Sequence, residues 1–424
     1  MNQDRVLATY YIETPYPLEY AAEVMAGELS TGTFTKVPGE TPELVEKHGA
    51  RVVSVKHLED VDTPTLEGAK PPKDHDGKYH RGEVVLSFPL HNFGPSIPNL
   101  MSAVAGNLFE LNQFSGLRLM DLELPEAFAK AYPGPKFGIE GTRKLTGVYD
   151  RPLIGTIIKP CIGLTVDELR VLVRNLAMSG IDFIKDDELN ANPPYAPLEE
   201  KVKAVMEEIE RAADKTGKKV MYAFNITGEI DELKRNHDIV KKYGGNCVMI
   251  SINSVSFAGV AYLNKYSELP IHGHRNQWGM YTRCNLLGMS FTAYQKLARL
   301  AGCDHLHVNG LNGKFYESNE SVITSTKACL KPMFGGYQTM PVLSNAQWAG
   351  SAVETFKEVP SVDFLHLAGG GILGHPDGVA AGVESMKQGW EAAVKGIELE
   401  EYAKTHPELR KAIEKFGKPK GGNG

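Results

Sequence analysis

The sequence predicts an α/β chain in two folded parts: an N-terminal α+β domain over residues 1–140 and a (β/α)8 barrel over residues 141–398, with a helical and then disordered tail over 399–424. Three observations predict it. At 424 residues, 42% of them hydrophobic, the chain is too long for one ordinary domain and rich enough for two cores. Its texture changes at Tyr132-Pro133-Gly134-Pro135, a run with turn chemistry. Beyond that run, short apolar β-type segments alternate with amphipathic helical ones eight times over about 250 residues, the rhythm of a closed barrel.

In the N-terminal part, β-rich Val6–Ile12 predicts a strand, and 17–29 a helix with Pro17 in its first turn. Strands are expected at Arg51–Val55, Glu83–Phe88 and Leu117–Leu124, and a helix at Pro95–Ala105. Asp62–Arg81 is rich in Pro, Lys, Asp and Gly and reads as a long exposed loop. The eight barrel runs are Leu153–Ile158, Asp182–Lys185, Val220–Asn225, Cys247–Ile252, Pro270–His274, His305–Val308, Pro341–Ser344 and Asp363–Leu367. Helical periodicity fills the gaps: Val166–Ser179, Leu198–Thr216, Ile230–Tyr243, Gly259–Tyr266, Phe291–Ala301, Ser321–Leu330 and Ala352–Val359. A last helix spans Gly378–Val394. The Gly/Lys-rich end from Gly417 to Gly424 is expected to be disordered.

A net charge of −6 gives no electrostatic footprint for nucleic acid. Met1 to Arg5 lacks the basic and apolar regions of a secretory signal, and no apolar run reaches the roughly 20 residues that span a bilayer. The five cysteines are scattered without a C-x-x-C pair, which suits reduced thiols in a cytoplasmic protein.

Catalytic groups of such barrels sit at the C-terminal strand ends. The second run ends in Lys185-Asp186-Asp187-Glu188, where alternation of faces lets Lys185, Asp187 and Glu188 at the strand end converge on one site, and the hard carboxylate oxygens there suit Mg2+. Alone, such a cluster reads as a solvated acidic turn. Other strand ends alter that reading: Lys159 after the first, His274 and Arg275 after the fifth, His307 on the sixth with Lys314 in the Gly-flanked loop beyond it, Ser344 after the seventh, and Gly369-Gly370-Gly371 after the eighth. Cations, acids and a glycine nest on one barrel face point to an anionic, phosphorylated small molecule and Mg2+.

Glu28-Leu-Ser-Thr-Gly-Thr33-Phe34, Gly155-Thr-Ile-Ile-Lys159-Pro, Gly180-Ile-Asp-Phe-Ile-Lys185-Asp-Asp-Glu188 and Gly369-Gly-Gly-Ile-Leu-Gly-His-Pro376 resemble the large subunit of ribulose-bisphosphate carboxylase, RuBisCO, over nearly the whole chain, from about Ala8 to Ala392. The resemblance implies a ferredoxin-like N-terminal domain before the barrel. It also implies a homodimer, or a higher homo-oligomer, in which one subunit's N-terminal domain completes its partner's site, with no small subunit. It implies that CO2 carbamylates Lys185, which then holds Mg2+ with Asp187 and Glu188. Lys159 corresponds to the lysine that moves protons near the enediolate, Lys314 to the mobile-loop lysine that meets CO2 or a carboxylate, and His274 to a histidine beside the metal. Glu28 and Asn107 correspond to residues given by the partner subunit. Arg275, His307 and Ser344 correspond to one phosphate position, and Thr33 with Gly369, Gly370 and Gly371 to the other.

The departures from the family pattern matter as much. K-P-K becomes Lys159-Pro160-Cys161, H-R-x-x-H becomes His274-Arg275-Asn276-Gln277-Trp278, S-G-G becomes Ser344-Asn345-Ala346, S-G-T becomes Val308-Asn309-Gly310, and a tryptophan becomes Phe34. The pattern resembles a RuBisCO-like protein (form IV) that keeps metal and enolisation chemistry on a substrate with one phosphate. The leading expectation is a lyase that decarboxylates a phosphorylated 3-oxo sugar acid of the 3-oxo-isoapionate 4-phosphate type, in carbohydrate catabolism. The alternatives are a 2,3-diketo-5-methylthiopentyl-1-phosphate enolase or methylthioribulose-phosphate isomerase of methionine salvage, a true ribulose-bisphosphate carboxylase, and a non-catalytic regulatory homologue.

Overall fold

A computed structural model describes residues 4–33 and 35–417. The expectations for Met1–Gln3, for Phe34 and for Lys418–Gly424 lie outside them. Four strands come first: β1 (Arg5–Thr14), β2 (Arg51–Val61), β3 (Tyr79–Pro89) and β4 (Gly116–Glu123). Then come β5 (Leu153–Ile157), β6 (Phe183–Lys185), β7 (Met221–Asn225), β8 (Cys247–Ser251), β9 (Ile271–His274), β10 (Leu287–Met289), β11 (His305–His307), β12 (Met340–Leu343) and β13 (Leu365–Leu367). One compact unit holds the chain up to Pro133 together with Gln277–Leu300. The other holds Gly134–Asn276 and the chain from Ala301 on.

The first unit is built on a sheet of order β10-β4-β1-β3-β2. Its β4-β1-β3-β2 part is antiparallel and, with helices Leu18–Glu28 and Ile97–Val104 between strands, has the ferredoxin-like arrangement. Alternation along β1 buries Val6, Ala8, Tyr10 and Ile12 on one face. Against that core lie Leu18, Ala21, Ala22 and Met25 of one helix and Ile97, Leu100 and Val104 of the other. The Tyr10 hydroxyl donates to Val104 O at 2.6 Å, which satisfies a buried phenol. Strand β2 runs six residues past its predicted end at Val55, because its pairing with β3 continues to Val61↔Tyr79 although most of its side chains are exposed.

The second unit is a closed parallel barrel, β11-β12-β13-β5-β6-β7-β8-β9. Every predicted barrel run becomes one of its strands. Period two along the strands sends Leu153, Phe183, Met221, Ala223, Cys247, Met249, Met340, Val342, Leu365 and Leu367 into a dry interior. The next inward position on several strands is polar, so the apolar plug gives way to functional groups at one end. The opposite end is closed by helix Gly138–Thr146. Asp304 holds the start of that segment, accepting Phe137 N at 2.7 Å and Gly138 N at 2.8 Å, while Thr142 meets His305 Nε2 at 2.8 Å. Outer helices follow the predicted spans closely. Val166–Met178 opens on a capping box, Thr165 with Glu168, and Leu198–Thr216 closes on Gly217 at φ 72°. The helix expected from Gly259 begins earlier, at Ile252, and breaks at Ser256, whose φ is 62°. The tail forms helices Leu399–Ala403 and Pro407–Phe416, whose Phe416 ring lies 6.1 Å from that of Trp348. Among the described residues, no helix is long and apolar enough to cross a membrane.

Candidate active site

Strand β6 ends at Lys185, two residues beyond inward-facing Phe183, so its side chain points into the barrel and is 1% exposed. Its Nζ donates to Asp186 O at 2.8 Å and lies 3.5 Å from Glu188 Oε2. Burial lowers the Lys185 ammonium from its ordinary value, outweighing the pull of Glu188, Asp187 and Asp186. Asp187, 2% exposed, accepts the Lys159 ammonium at 2.6 Å and the Leu189 N–H at 3.1 Å. Burial would raise Glu188, yet His274 and Lys185 more than reverse this and hold it at about 2. Burial first, then Lys185, keeps the His274 ring down to about 4. At neutral pH His274 is therefore uncharged, 3.6 Å from Glu188.

Three of the four residues Lys185–Glu188 face the site; Asp186 does not. Its side chain turns out of the barrel and accepts Lys201 Nζ at 2.8 Å, the Tyr222 hydroxyl at 2.6 Å and Asn225 N at 2.9 Å. Lys201, wholly buried on helix Leu198–Thr216, also donates to Asn190 O at 3.0 Å and Ala191 O at 2.9 Å. From β7, Asn225 Nδ2 lies 3.2 Å from both Asp187 O and Glu188 O. These residues escaped sequence analysis. They fix the backbone from which the two candidate metal carboxylates project, the supporting role that hydrogen-bonded neighbours serve at metal sites. The donor set fits Mg2+: two carboxylates at the barrel mouth, one of them buried, and a lysine that gains ligand oxygens once carbamylated.

Around this centre stand the other expected residues of the unit. Lys159 is 41% exposed. Its Nζ also lies 2.8 Å from Cys161 Sγ, the residue in place of the family's second lysine. Burial tends to lower Lys159, but Asp187 prevails and raises it, so it stays an ammonium. His307 faces Ser344 Oγ at 3.2 Å and His272 at 2.8 Å, within a buried histidine cluster on β9 and β11. Arg275 is buried and paired to Glu317 at 2.6 Å. Lys314 is exposed, and its N–H donates to Asn345 Oδ1 at 3.1 Å. Asn345 and Ala346 hold φ of 77° and 58°, so the turn keeps left-handed angles that suit glycine while carrying side chains.

The triple glycine divides in two. A Cβ on Gly370 would meet nothing within 4 Å, whereas on Gly371 it would lie 2.5 Å from Gln347 O. Gly371 is thus required by packing and Gly370 leaves bare backbone open to a ligand. Buried Gln347 ties the neighbouring loops together. Its Nε2 donates to Leu311 O at 3.1 Å and Asn345 O at 2.9 Å, and its Oε1 lies 3.3 Å from His366 Nε2. Glu28, Thr33 and Asn107 lie exposed in the first unit: Glu28 ends helix Leu18–Glu28, and Asn107 precedes the turn Leu108–Glu110.

Residues 138–416 match the family described as ribulose bisphosphate carboxylase large chain, catalytic domain, and residues 1–128 match its N-terminal domain. The 3-oxo-isoapionate-4-phosphate transcarboxylase/hydrolase of Xanthobacter autotrophicus is 51% identical over 97% of this chain and 99% of its own. The 3-oxo-isoapionate-4-phosphate decarboxylase of Rhizobium etli is 46% identical over 98% of this chain and 100% of its own. The crystal structure of a rubisco-like protein from Burkholderia fungorum superposes with a TM-score of 0.91 at 44% identity, covering 97% of this chain and all of that one.

Proposed function

The chain belongs to the ribulose bisphosphate carboxylase large-chain family, and from that membership we propose that it is a cytoplasmic, Mg2+-dependent RuBisCO-like decarboxylase acting on a phosphorylated 3-oxo sugar acid of the 3-oxo-isoapionate 4-phosphate type. The observation that carries the proposal is Lys185: a buried lysine with a lowered pKa, flanked by Asp187 and Glu188. Its neutral amine attacks CO2; an N–C bond forms as one C–O π bond of CO2 opens, one proton leaves the nitrogen for solvent, and the amine becomes an anionic carbamate. Lys185, Asp187 and Glu188 then hold Mg2+, which when bound supplies Lewis-acid stabilisation of negative charge on the substrate's oxygens.

The chain's own groups do the rest. Lys314 pairs with the substrate carboxylate. The bond from that carboxylate to the adjacent carbon breaks, CO2 departs, and the electron pair stays on carbon in conjugation with the ketone as an enediolate. Lys159, kept protonated beside Asp187, delivers a proton to that carbon. The phosphate rests at Gly369, Gly370 and Gly371, and Glu28 and Asn107 serve the partner subunit's site in a homodimer. Decarboxylation uses Lys314 and Asn107, which tautomerisation of a methionine-salvage diketone does not need. Cys161, Trp278 and Ala346 disfavour carboxylation of ribulose bisphosphate, and a retained Lys185-Asp187-Glu188 set disfavours a non-catalytic scaffold.

Incubation with Mg2+, bicarbonate and 3-oxo-isoapionate 4-phosphate is expected to release CO2 in proportion to substrate consumed; no release overturns the proposal. The 51% identical relative supports a second reading, hydrolysis or carboxyl transfer on the same substrate. Substrate loss without free CO2 would select it. Lys185→Ala is expected to abolish Mg2+-dependent turnover in either case, and undiminished activity would refute the carbamate.

A further inference from the structure

The arginine after β9 already has an anion. Arg275 Nη2 lies 2.6 Å from Glu317 Oε2, and both side chains are buried, at 4% and 6% exposure. The same oxygen accepts Asn309 Nδ2 at 2.6 Å, and Oε1 accepts Ser321 Oγ at 2.7 Å. Glu317 stands three residues beyond Lys314, and its partners lie before that lysine (Asn309) and on the helix after it (Asn319–Leu330). One carboxylate thus clamps both flanks of the Lys314 loop and compensates Arg275. The adjacent polar groups, His307 and Ser344, add hydrogen-bonding capacity without a fixed positive charge. A phosphate dianion approaching Arg275 would face a buried carboxylate at hydrogen-bond range and would have to displace it.

We propose that Glu317 is the specificity-determining residue that restricts this site to one phosphate: its carboxylate occupies Arg275 in place of a second phosphate, so the Arg275–His307–Ser344 end receives an uncharged, hydroxyl-bearing part of the substrate. The proposal rests on the monophosphate reading above and names the residue that enforces it. It also separates Arg275 from the substrate's phosphate. The glycine end around Gly370 remains for that group.

The test is a binding ratio, read without turnover. Dissociation constants for ribulose 1,5-bisphosphate and ribulose 5-phosphate, which differ by one phosphate, are measured by calorimetry with Mg2+ and bicarbonate for the wild type, Glu317→Gln and Glu317→Ala. In the wild type the second phosphate should change affinity by less than about threefold. Each folded variant should bind the bisphosphate at least about tenfold tighter relative to the monophosphate, because a guanidinium freed of its carboxylate regains an anion site. Glu317→Gln keeps the size and an acceptor oxygen for Asn309, so it preserves the loop if the alanine variant does not fold. The wild-type ratio is a test in itself: a bisphosphate preference above about tenfold overturns the proposal, as does a ratio unmoved in the folded variants. Loss of about tenfold or more in monophosphate affinity in Arg275→Ala also overturns it, since the single phosphate would then sit on Arg275. A shifted ratio without CO2 release would refute decarboxylation alone, and CO2 release with an unshifted ratio would refute the role of Glu317 alone.

Discussion

Replacing Lys201 with methionine tests whether the ground beneath the metal ligands is as rigid as its geometry implies. Lys201 is wholly buried and donates to the Asp186 carboxylate at 2.8 Å and to two carbonyls of the following turn. Methionine preserves the length and deletes the ammonium. Asp186 keeps the Tyr222 hydroxyl and the Asn225 N–H but loses its cation within the fold. Stranding a buried charge in this way costs about 3–5 kcal/mol, or roughly two to three and a half powers of ten in the unfolded population. Urea unfolding followed by circular dichroism measures it directly. Asp186→Asn in the same background removes the stranded charge, so the double variant should recover about 1–3 kcal/mol relative to the sum of the singles. Because Asp186 lies between Lys185 and Asp187, the Mg2+ concentration for half-maximal activity should rise about 10–100-fold in Lys201→Met, the usual effect of losing a group that supports metal ligands. A stability loss below about 1 kcal/mol, or singles that simply add, would refute the reasoning.

Other perturbations separate packing from binding. Gly371→Ala drives a Cβ into the Gln347 carbonyl and should destabilise the barrel by about 1–3 kcal/mol, whereas Gly370→Ala has open space and should melt like the wild type while raising KM; thermal melts and kinetics on both check this. Burial holds His305 and His366 down to about 3, against about 6.5 in an unfolded chain. Protons therefore favour the unfolded state. The contribution of each ring is fully present above about pH 6.5 and is lost as pH falls toward 3, with a slope approaching ~1.4 kcal/mol per pH unit per ring. His366→Gln should flatten the dependence of the unfolding midpoint between pH 6 and pH 4; an unchanged slope would show that the ring is not buried in neutral form.

Much of this architecture was legible in the chain because its signals are local. The eight apolar runs, the turn at Tyr132–Pro135 and the placement of Lys159, Lys185, His274 and Ser344 at strand ends follow from period and position. The misses are non-local or unpatterned. Strand β10 is three residues long and exists through its pairing with β4, about 170 residues earlier in sequence. Helix Pro42–His48 buries no side chain, so it has no apolar stripe to detect, although Thr41 capping Leu44 N and Pro42 at its start were available signals. Asp186 looked like one acid among three; what distinguishes it is a lysine from the next helix and a tyrosine from the next strand. Glu317 looked like one more loop charge until Arg275 and Asn309 were brought beside it.

Gln347 has a consequence for anyone who would alter this enzyme's chemistry. Loops at a barrel mouth are commonly treated as parts that can be exchanged one at a time. Here the loop after β11 and the turn after β12 are joined by the amide of Gln347, which also reaches His366 on β13; Gly310 and Gly313 lack side chains where these would strike Gln347 and Asn345. A new loop grafted after β11 would lose the amide's anchor at Leu311, admit side chains where only glycine fits, and pull Asn345 away from Lys314. The practical unit of exchange is the pair of loops with Gln347 between them, so a new substrate preference has to be installed across both at once.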